Sequence, residues 1–139
     1  MAAWTETVLR ESLGLRPGER VLIMADAPLA GAAEALAAAA AAAGARRVAR
    51  FTLPEPRAGL QVVPRGLTAA AGEADVVICM RSGLDLARED AAVRAARGAS
   101  RQTGRGRWAV LAQVDPAVLT ATLEPGLAEV GRASCRERV

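Results

Sequence analysis

The stretch that decides the fold is residues 21–25, Val-Leu-Ile-Met-Ala, a continuous apolar run of strand length. A run without polar residues at alternate positions suits a strand that is buried on both faces of a sheet. The chain enters this run from the turn at Pro17-Gly18. It leaves through Asp26 and then Pro28, which suits the first turn of a helix. These residues predict a buried strand that is followed at once by a helix.

The alternation of strand and helix continues along the chain. Three further strands are predicted over residues 46–52, 76–80 and 108–113, the first of them near a sheet edge. Helices are predicted over residues 3–13, 29–43, 67–71, 86–97 and 115–123, with Gly14, Gly44 and Gly98 as stops and a basic loop over 98–107. Such alternation implies parallel strands joined by right-handed crossovers. The sequence therefore predicts an α/β fold, a small doubly wound, mostly parallel sheet of about four strands with helices on both faces.

The periodic pattern extends only to residue 123 or so. Glu124-Pro125-Gly126 interrupts it, and the last residues, GRASCRERV, have no periodicity. We therefore expect an α/β domain over residues 1–124 and a disordered or non-native tail over residues 125–139.

Composition excludes several kinds of chemistry. The chain has no histidine and no lysine, which removes the usual serine and cysteine triads, most zinc sites and Schiff-base catalysis. All 18 basic residues are arginines, against 15 acidic residues. Because few of them cluster and no aromatic residues interleave with them, they indicate a biased coding composition rather than a nucleic-acid surface. With neither a signal peptide nor a membrane span in the sequence, we expect a cytoplasmic protein with no nucleic-acid or membrane partner.

Ligands of open α/β sheets bind beyond the carboxyl ends of the strands, where this chain offers Asp26, Arg81 and Ser82. Asp26 suits a ribose hydroxyl, a metal or a substrate amine, or else it caps the helix after Pro28. Arg81 suits a carboxylate or phosphate, or else it is a surface arginine. Ser82 as a nucleophile would have only carboxylates as possible bases, which argues against that role. We expect it instead to cap, together with Asp85, the helix predicted to begin at residue 86. These three are the candidate ligand-binding residues, and no catalytic residue or metal ligand is predicted.

A dinucleotide site is not indicated, because the link after the first strand lacks the glycines that let a pyrophosphate approach the backbone. Gly104-Arg105-Gly106 suits either a small anion-binding nest or a flexible basic loop. One hypothesis is therefore a small, non-catalytic anion- or nucleotide-binding module that holds an anion near Arg81 and residues 104–107.

A second hypothesis comes from a family resemblance. Residues 15–23 (LRPGERVLI), Asp26, an alanine-rich helix and residues 43–45 (AGA) together resemble the opening of leucyl aminopeptidases of the aminopeptidase T type, a thermophilic metallo-aminopeptidase family. Residues 74–78 (ADVVI) and the helix predicted over 115–123 continue the resemblance. It extends from about residue 8 to residue 123.

The resemblance implies a two-domain, homodimeric hydrolase that removes N-terminal residues from peptides. Its divalent metal, zinc, cobalt or similar, would be held by histidines and carboxylates of the second domain. Because this chain ends near the close of the first domain, it contains no such ligands, and no cofactor is expected in it. We therefore expect the chain to be a truncated N-terminal fragment that is not catalytic by itself. The resembled full-length family consists of hydrolases, but this chain lacks their metal ligands, and whether it is an enzyme stays open. Some ring-opening oxygenases share this two-domain plan, and the first domain alone does not distinguish them from the aminopeptidases.

Overall fold

Four parallel strands form the centre of the protein. The computed structural model describes residues 3–53, 63–82 and 91–111. In these residues the sheet consists of β1 Arg20–Asp26, β2 Arg47–Leu53, β3 Val76–Met80 and β4 Arg107–Leu111. The strand order is β2-β1-β3-β4, and every neighbouring pair is parallel. The predicted α/β class and mostly parallel sheet are confirmed, and the strand predicted near an edge, β2, lies at one end of this order.

The helices lie in two layers. The first helix, α1 Ala3–Glu6, continues as a π-helical turn over Thr7–Ser12, and α2 Ala30–Ala42 follows a 3₁₀ turn over Ala27–Leu29. The other two helices are α3 Leu67–Glu73 and α4 Ala91–Thr103. The first helix and α2 pack on one face of the sheet, and α3 and α4 pack on the other.

β1 supplies both faces of the core by simple alternation. Val21, Ile23 and Ala25 point into the cluster that includes the first helix and α2, whereas Leu22 and Met24 point into the cluster with α3 and α4. All five side chains are buried, as the continuous apolar run predicts.

The alanine run of α2 buries one face of the helix. Its buried residues share the spacing of a single helical stripe: Ala32, Ala33, Leu36, Ala39 and Ala40. Leu36 is the one large side chain in this stripe, so that the helix backbone approaches the sheet closely. Gly44, with a φ of 93°, ends the segment as predicted, and Gly14, with a φ of 62°, ends the first helical segment.

The turn before β1 is fastened to the end of α2. The Gly18 N–H donates to the Gly44 carbonyl at 2.8 Å, and the Arg46 N–H donates to the Glu19 carbonyl at the same distance. A Cβ on Gly44 would lie 3.2 Å from the Pro17 Cβ, which is a tight contact. A small residue at position 44 therefore lets two distant parts of the chain meet.

The predicted helix stop at Gly98 and the basic loop over 98–107 are wrong. α4 continues through Gly98 to Thr103, and Gly104, with a φ of 66°, ends it. The helix is stabilised by tertiary packing, because Ala92, Ala96 and Ser100 form one buried stripe. Gly98 lies on the exposed face, where a glycine lowers helix stability without breaking the helix.

Several predictions fall outside the described residues. They are the helix over 115–123, the domain boundary at 124, the tail over 125–139 and the part of the Ser82 capping motif that involves Asp85. Among the residues that are described, no helix combines the length and the apolar character that crossing a bilayer requires.

Two glycines near the end of α4 give opposite predictions for alanine substitution. Gly98→Ala is expected to raise the free energy of unfolding by about 0.5–1 kcal/mol, because alanine favours the helix and its Cβ meets nothing within 4 Å. Gly106→Ala is expected to lower it by about 1–3 kcal/mol, because the new Cβ would overlap Ser100 Oγ and crowd Trp108 Nε1. Urea denaturation followed by circular dichroism measures both. Destabilisation by Gly98→Ala would contradict a helix that runs through this position.

Candidate functional site

The direction in which the chain adds strands to the sheet reverses at β1. From β1 the chain crosses to β2 on one side, and it later returns to place β3 on the other side of β1. Parallel sheets bind ligands at such a reversal, outside the carboxyl ends of the two strands. Asp26 is the last residue of β1, and Arg81 and Ser82 directly follow β3. The structure therefore brings the three candidate residues together.

Asp26 is joined to Ser82 by two hydrogen bonds. The Ser82 N–H and the Ser82 hydroxyl each donate to Asp26 Oδ2 at 2.9 Å. The interpretation of Asp26 as a helix cap is wrong, because its side chain makes no capping hydrogen bond to the 3₁₀ turn that follows. Pro28 in that turn has no N–H to offer, and the side chain instead reaches the neighbouring strand.

Ser82 is tied to β1 by the same contact. Its hydroxyl proton points to a carboxylate, and the chain contains no histidine to relay a proton. The bond between Ser82 and Asp26 therefore acts as a structural link between the ends of two adjacent strands.

Arg81 is buried, with a relative exposure of 3%, so the interpretation of a surface arginine is wrong. Its N–H donates to the Leu111 carbonyl at 2.8 Å, which extends the pairing of β3 with β4. Burial lowers the pKa of its guanidinium, and the nearby Cys79 and Asp26 oppose that shift. Asp26 thus partly compensates the cost of removing this cation from water.

One carboxylate oxygen of the cluster makes no hydrogen bond within the described residues. Asp26 is 8% exposed, and its Oδ1 is buried without a hydrogen-bond partner in the part of the chain that the structure describes. A buried carboxylate oxygen is strongly favoured to accept a hydrogen bond. An amine or hydroxyl donor fits this oxygen best, and the role of Asp26 as a ligand-binding residue stays a prediction.

The described residues do not fit a divalent metal. No group of three or more His, Cys, Asp or Glu side chains within residues 3–53, 63–82 and 91–111 could hold one. Among the described residues Asp26 supplies a single carboxylate at this edge, and the Arg81 cation near it would repel a second positive charge.

Residues 104–107 lie at the opposite edge of the sheet from Arg81. Arg107 pairs with Val76 at the start of β3, whereas Arg81 follows Met80 at its end. Five residues of strand separate the two positions, a length of about 16 Å. The hypothesis that one small anion is held by Arg81 together with residues 104–107 is therefore wrong.

A second polar cluster lies at this amino edge, and the sequence analysis did not predict it. Arg107 donates through Nε to the Leu13 carbonyl at 2.9 Å and through Nη2 to Glu19 Oε1 at 2.6 Å. Burial alone would raise the pKa of Glu19, but the hydrogen bonds from Arg107 and the Arg16 N–H outweigh it, and the pKa lies below its usual value. Glu19 and Arg107 are 88 residues apart in sequence, and no local pattern links them.

Substitutions at the carboxyl edge separate the roles of Asp26 and Ser82. Ser82→Ala is expected to cost about 1 kcal/mol of stability, because it removes one hydrogen bond and keeps the N–H bond to Asp26. Asp26→Ala is expected to cost more, about 2–4 kcal/mol, because it removes both hydrogen bonds that Ser82 donates to the carboxylate and also the negative charge near the buried Arg81. Denaturant titration measures both values. Equal, small losses would contradict the buried charged cluster.

Comparison with solved structures gives a match over most of the chain. No family model matches the chain, and no curated protein matches it. The solved structure of the wild-type aminopeptidase AmpT from Thermus thermophilus matches with a TM-score of 0.51 and 20% sequence identity. The match covers 96% of this chain and 41% of AmpT, so the chain spans less than half the length of that protein. This similarity is a distant likeness of fold to part of an aminopeptidase.

Proposed function

We propose that this chain is a non-catalytic domain of a metal-dependent aminopeptidase of the AmpT kind, which removes N-terminal amino acids from peptides. The observation that carries the proposal is the match to AmpT, which takes in nearly all of this chain and less than half of the other. A domain of a longer enzyme is expected to match over most of its own length and over only part of the longer protein.

The contacts of the turn before β1 bear on the sequence resemblance. The sequence resemblance to aminopeptidases rests most on residues 15–23 and 43–45. In the structure these two stretches touch, through the Gly18–Gly44 hydrogen bond and the close approach of Pro17 to Gly44. The residues that carry the resemblance therefore pack against each other, and they hold the turn before β1 against the end of α2.

We expect the catalytic metal to be bound elsewhere in the enzyme, because the described residues offer no set of metal ligands. A bound divalent metal would supply a hydroxide nucleophile and polarise the scissile carbonyl, and its ligands belong to another part of the enzyme. This domain would form one wall of the peptide cleft with its carboxyl edge. There Asp26 Oδ1, a buried acceptor, suits an amine of the peptide substrate. In the whole enzyme we propose a homodimer that works in the cytoplasm, with zinc, cobalt or a similar metal.

Two assays test this proposal. The purified chain of 14.3 kDa, incubated with leucine p-nitroanilide and zinc, cobalt or manganese, is expected to show no turnover above the metal-only blank. Turnover by the chain that a chelator abolishes would contradict a non-catalytic domain.

The second assay concerns the protein in its native cells. Antibodies raised against the purified chain are expected to precipitate a polypeptide well above 14.3 kDa together with chelator-sensitive aminopeptidase activity. A precipitate that contains only a 14.3 kDa species and no such activity would overturn the proposal. A precipitate whose activity is ring-opening oxygenation would also overturn it and would assign the domain to the related two-domain oxygenases.

A further inference from the structure

The outer side of β2, which faces away from β1, is an unpaired strand edge. β2 lies at the end of the strand order, and all 7 of its residues pair with β1 on the inner side. Among the residues that the structure describes, no strand pairs with the outer side. Because successive residues of a strand direct their N–H and C=O groups to opposite sides, every second residue of β2 presents both groups outward. Such an edge is a template for a further strand.

This end of the sheet is also the more open one. At the other end, the last three residues of β4 are buried, whereas in β2 Leu53 alone is buried. Arg47, Arg50 and Thr52 are exposed, and Phe51 is partly exposed. β2 therefore combines unpaired backbone groups with accessible side chains along most of its length.

The accessible side chains of β2 carry positive charge. Arg46 immediately precedes the strand, Arg47 and Arg50 lie within it, and all three are exposed. Glu73 approaches Arg47 at 3.7 Å, but both side chains are more than half exposed, so that this ion pair is weak. Within residues 3–53, 63–82 and 91–111, Arg46 and Arg50 form no ion pair. The outer side of β2 is therefore suited to an acidic partner.

The register of the sheet fixes where the two arginines of β2 stand. Both residues pair with β1, and because they are three apart, their side chains lie on opposite faces of the sheet. Arg47 shares its face with Ala49 and Phe51, which pack against the cluster of α3 and α4, and Arg50 is on the other face. A strand that adds to β2 therefore meets one arginine on each of its faces.

We propose that the outer side of β2 binds an extended acidic segment of a partner protein as an added strand. Backbone hydrogen bonds provide the affinity, and two acidic residues, three apart in the segment, face Arg47 and Arg50. An apolar residue next to the second acid packs on Phe51. The proposal uses neither Asp26 nor Ser82, so it does not rest on the proposed function.

A second copy of this chain is the less favourable occupant of the same edge. Pairing β2 with its own copy brings two sets of arginines together, and like charges on adjacent strands are destabilising. Natural proteins place charged side chains on edge strands for this purpose. The arginines that oppose such pairing attract an acidic strand.

Binding of a fluorescent peptide to the purified chain tests this surface. The sequence Thr-Val-Glu-Val-Val-Glu-Val-Thr is palindromic, so that its two acids match Arg47 and Arg50 in either strand direction. We expect a saturable rise in fluorescence anisotropy that weakens as the salt concentration increases. The same peptide with Gln in place of both Glu residues is expected to bind about fivefold more weakly or worse. The absence of saturable binding would overturn the proposal.

Two N-methylated peptides distinguish strand addition from charge attraction alone. One peptide is methylated at its odd-numbered residues and the other at its even-numbered residues. In an added strand only one of these two sets of amides points towards β2. We therefore expect one methylated peptide to lose binding and the other to keep most of it. Equal binding by both, or equal loss in both, would contradict strand addition.

Variants of the chain locate the surface. Arg47→Gln and Arg50→Gln are each expected to weaken binding of the acidic peptide about two- to fivefold. Arg105→Gln is the matched control, because it removes the same charge from an exposed position close to β4, at the opposite end of the sheet. It is expected to change the affinity less than about twofold, and circular dichroism checks the fold of each variant. An equal loss in all three variants would indicate attraction to the overall charge and would overturn the proposal.

Analytical ultracentrifugation tests the second copy as the occupant. We expect the acidic peptide to bind without any change in the oligomeric state of the chain. A dimer that the peptide dissociates would assign the edge to a second copy and would overturn the proposal.

Discussion

The parallel pairing of β1 with strands on both of its sides is the constraint on which the rest of the structure depends. Seven residues of β1 pair with β2, and five of them also pair with β3. A strand in this position has no free edge, and its side chains must fill the core above and below the sheet. The apolar run of residues 21–25 meets that demand, which is why both helix layers can form on it. The same pairing brings Asp26 beside Ser82, from 56 positions away in sequence.

The two edges of the sheet differ in chemistry because the strands are parallel. All carboxyl ends meet at one edge, where Asp26 accepts two hydrogen bonds from Ser82 and opposes the effect of burial on the pKa of Arg81. All amino ends meet at the other edge, where arginines from α4 and β4 surround an open cavity.

Sequence reasoning predicted the strands well, since their apolar runs need little context. Residues 76–80 were predicted and observed as the same strand, and Gly14 and Gly44 end helical segments as expected. Gly98 was misinterpreted because a glycine inside a helix and a glycine after one look alike locally. Only the buried stripe through Ser100 shows that α4 continues.

The site was predicted in part: the rule for open sheets selected Asp26, Arg81 and Ser82, but their contacts are long-range and no sequence pattern contained them. The ion pair between Glu19 and Arg107 was missed for the same reason, because it joins residues 88 positions apart in sequence.

The most direct test of the central pairing is nuclear magnetic resonance of the isotopically labelled chain. Cross-strand nuclear Overhauser effects are expected from Ile23 to Arg50 on one side and from Ile23 to Ile78 on the other, both with the pattern of parallel strands. Such contacts would place β1 in the interior of the sheet, as this account requires. Contacts on one side only, or the short Cα–H to Cα–H distances of antiparallel pairs, would contradict it.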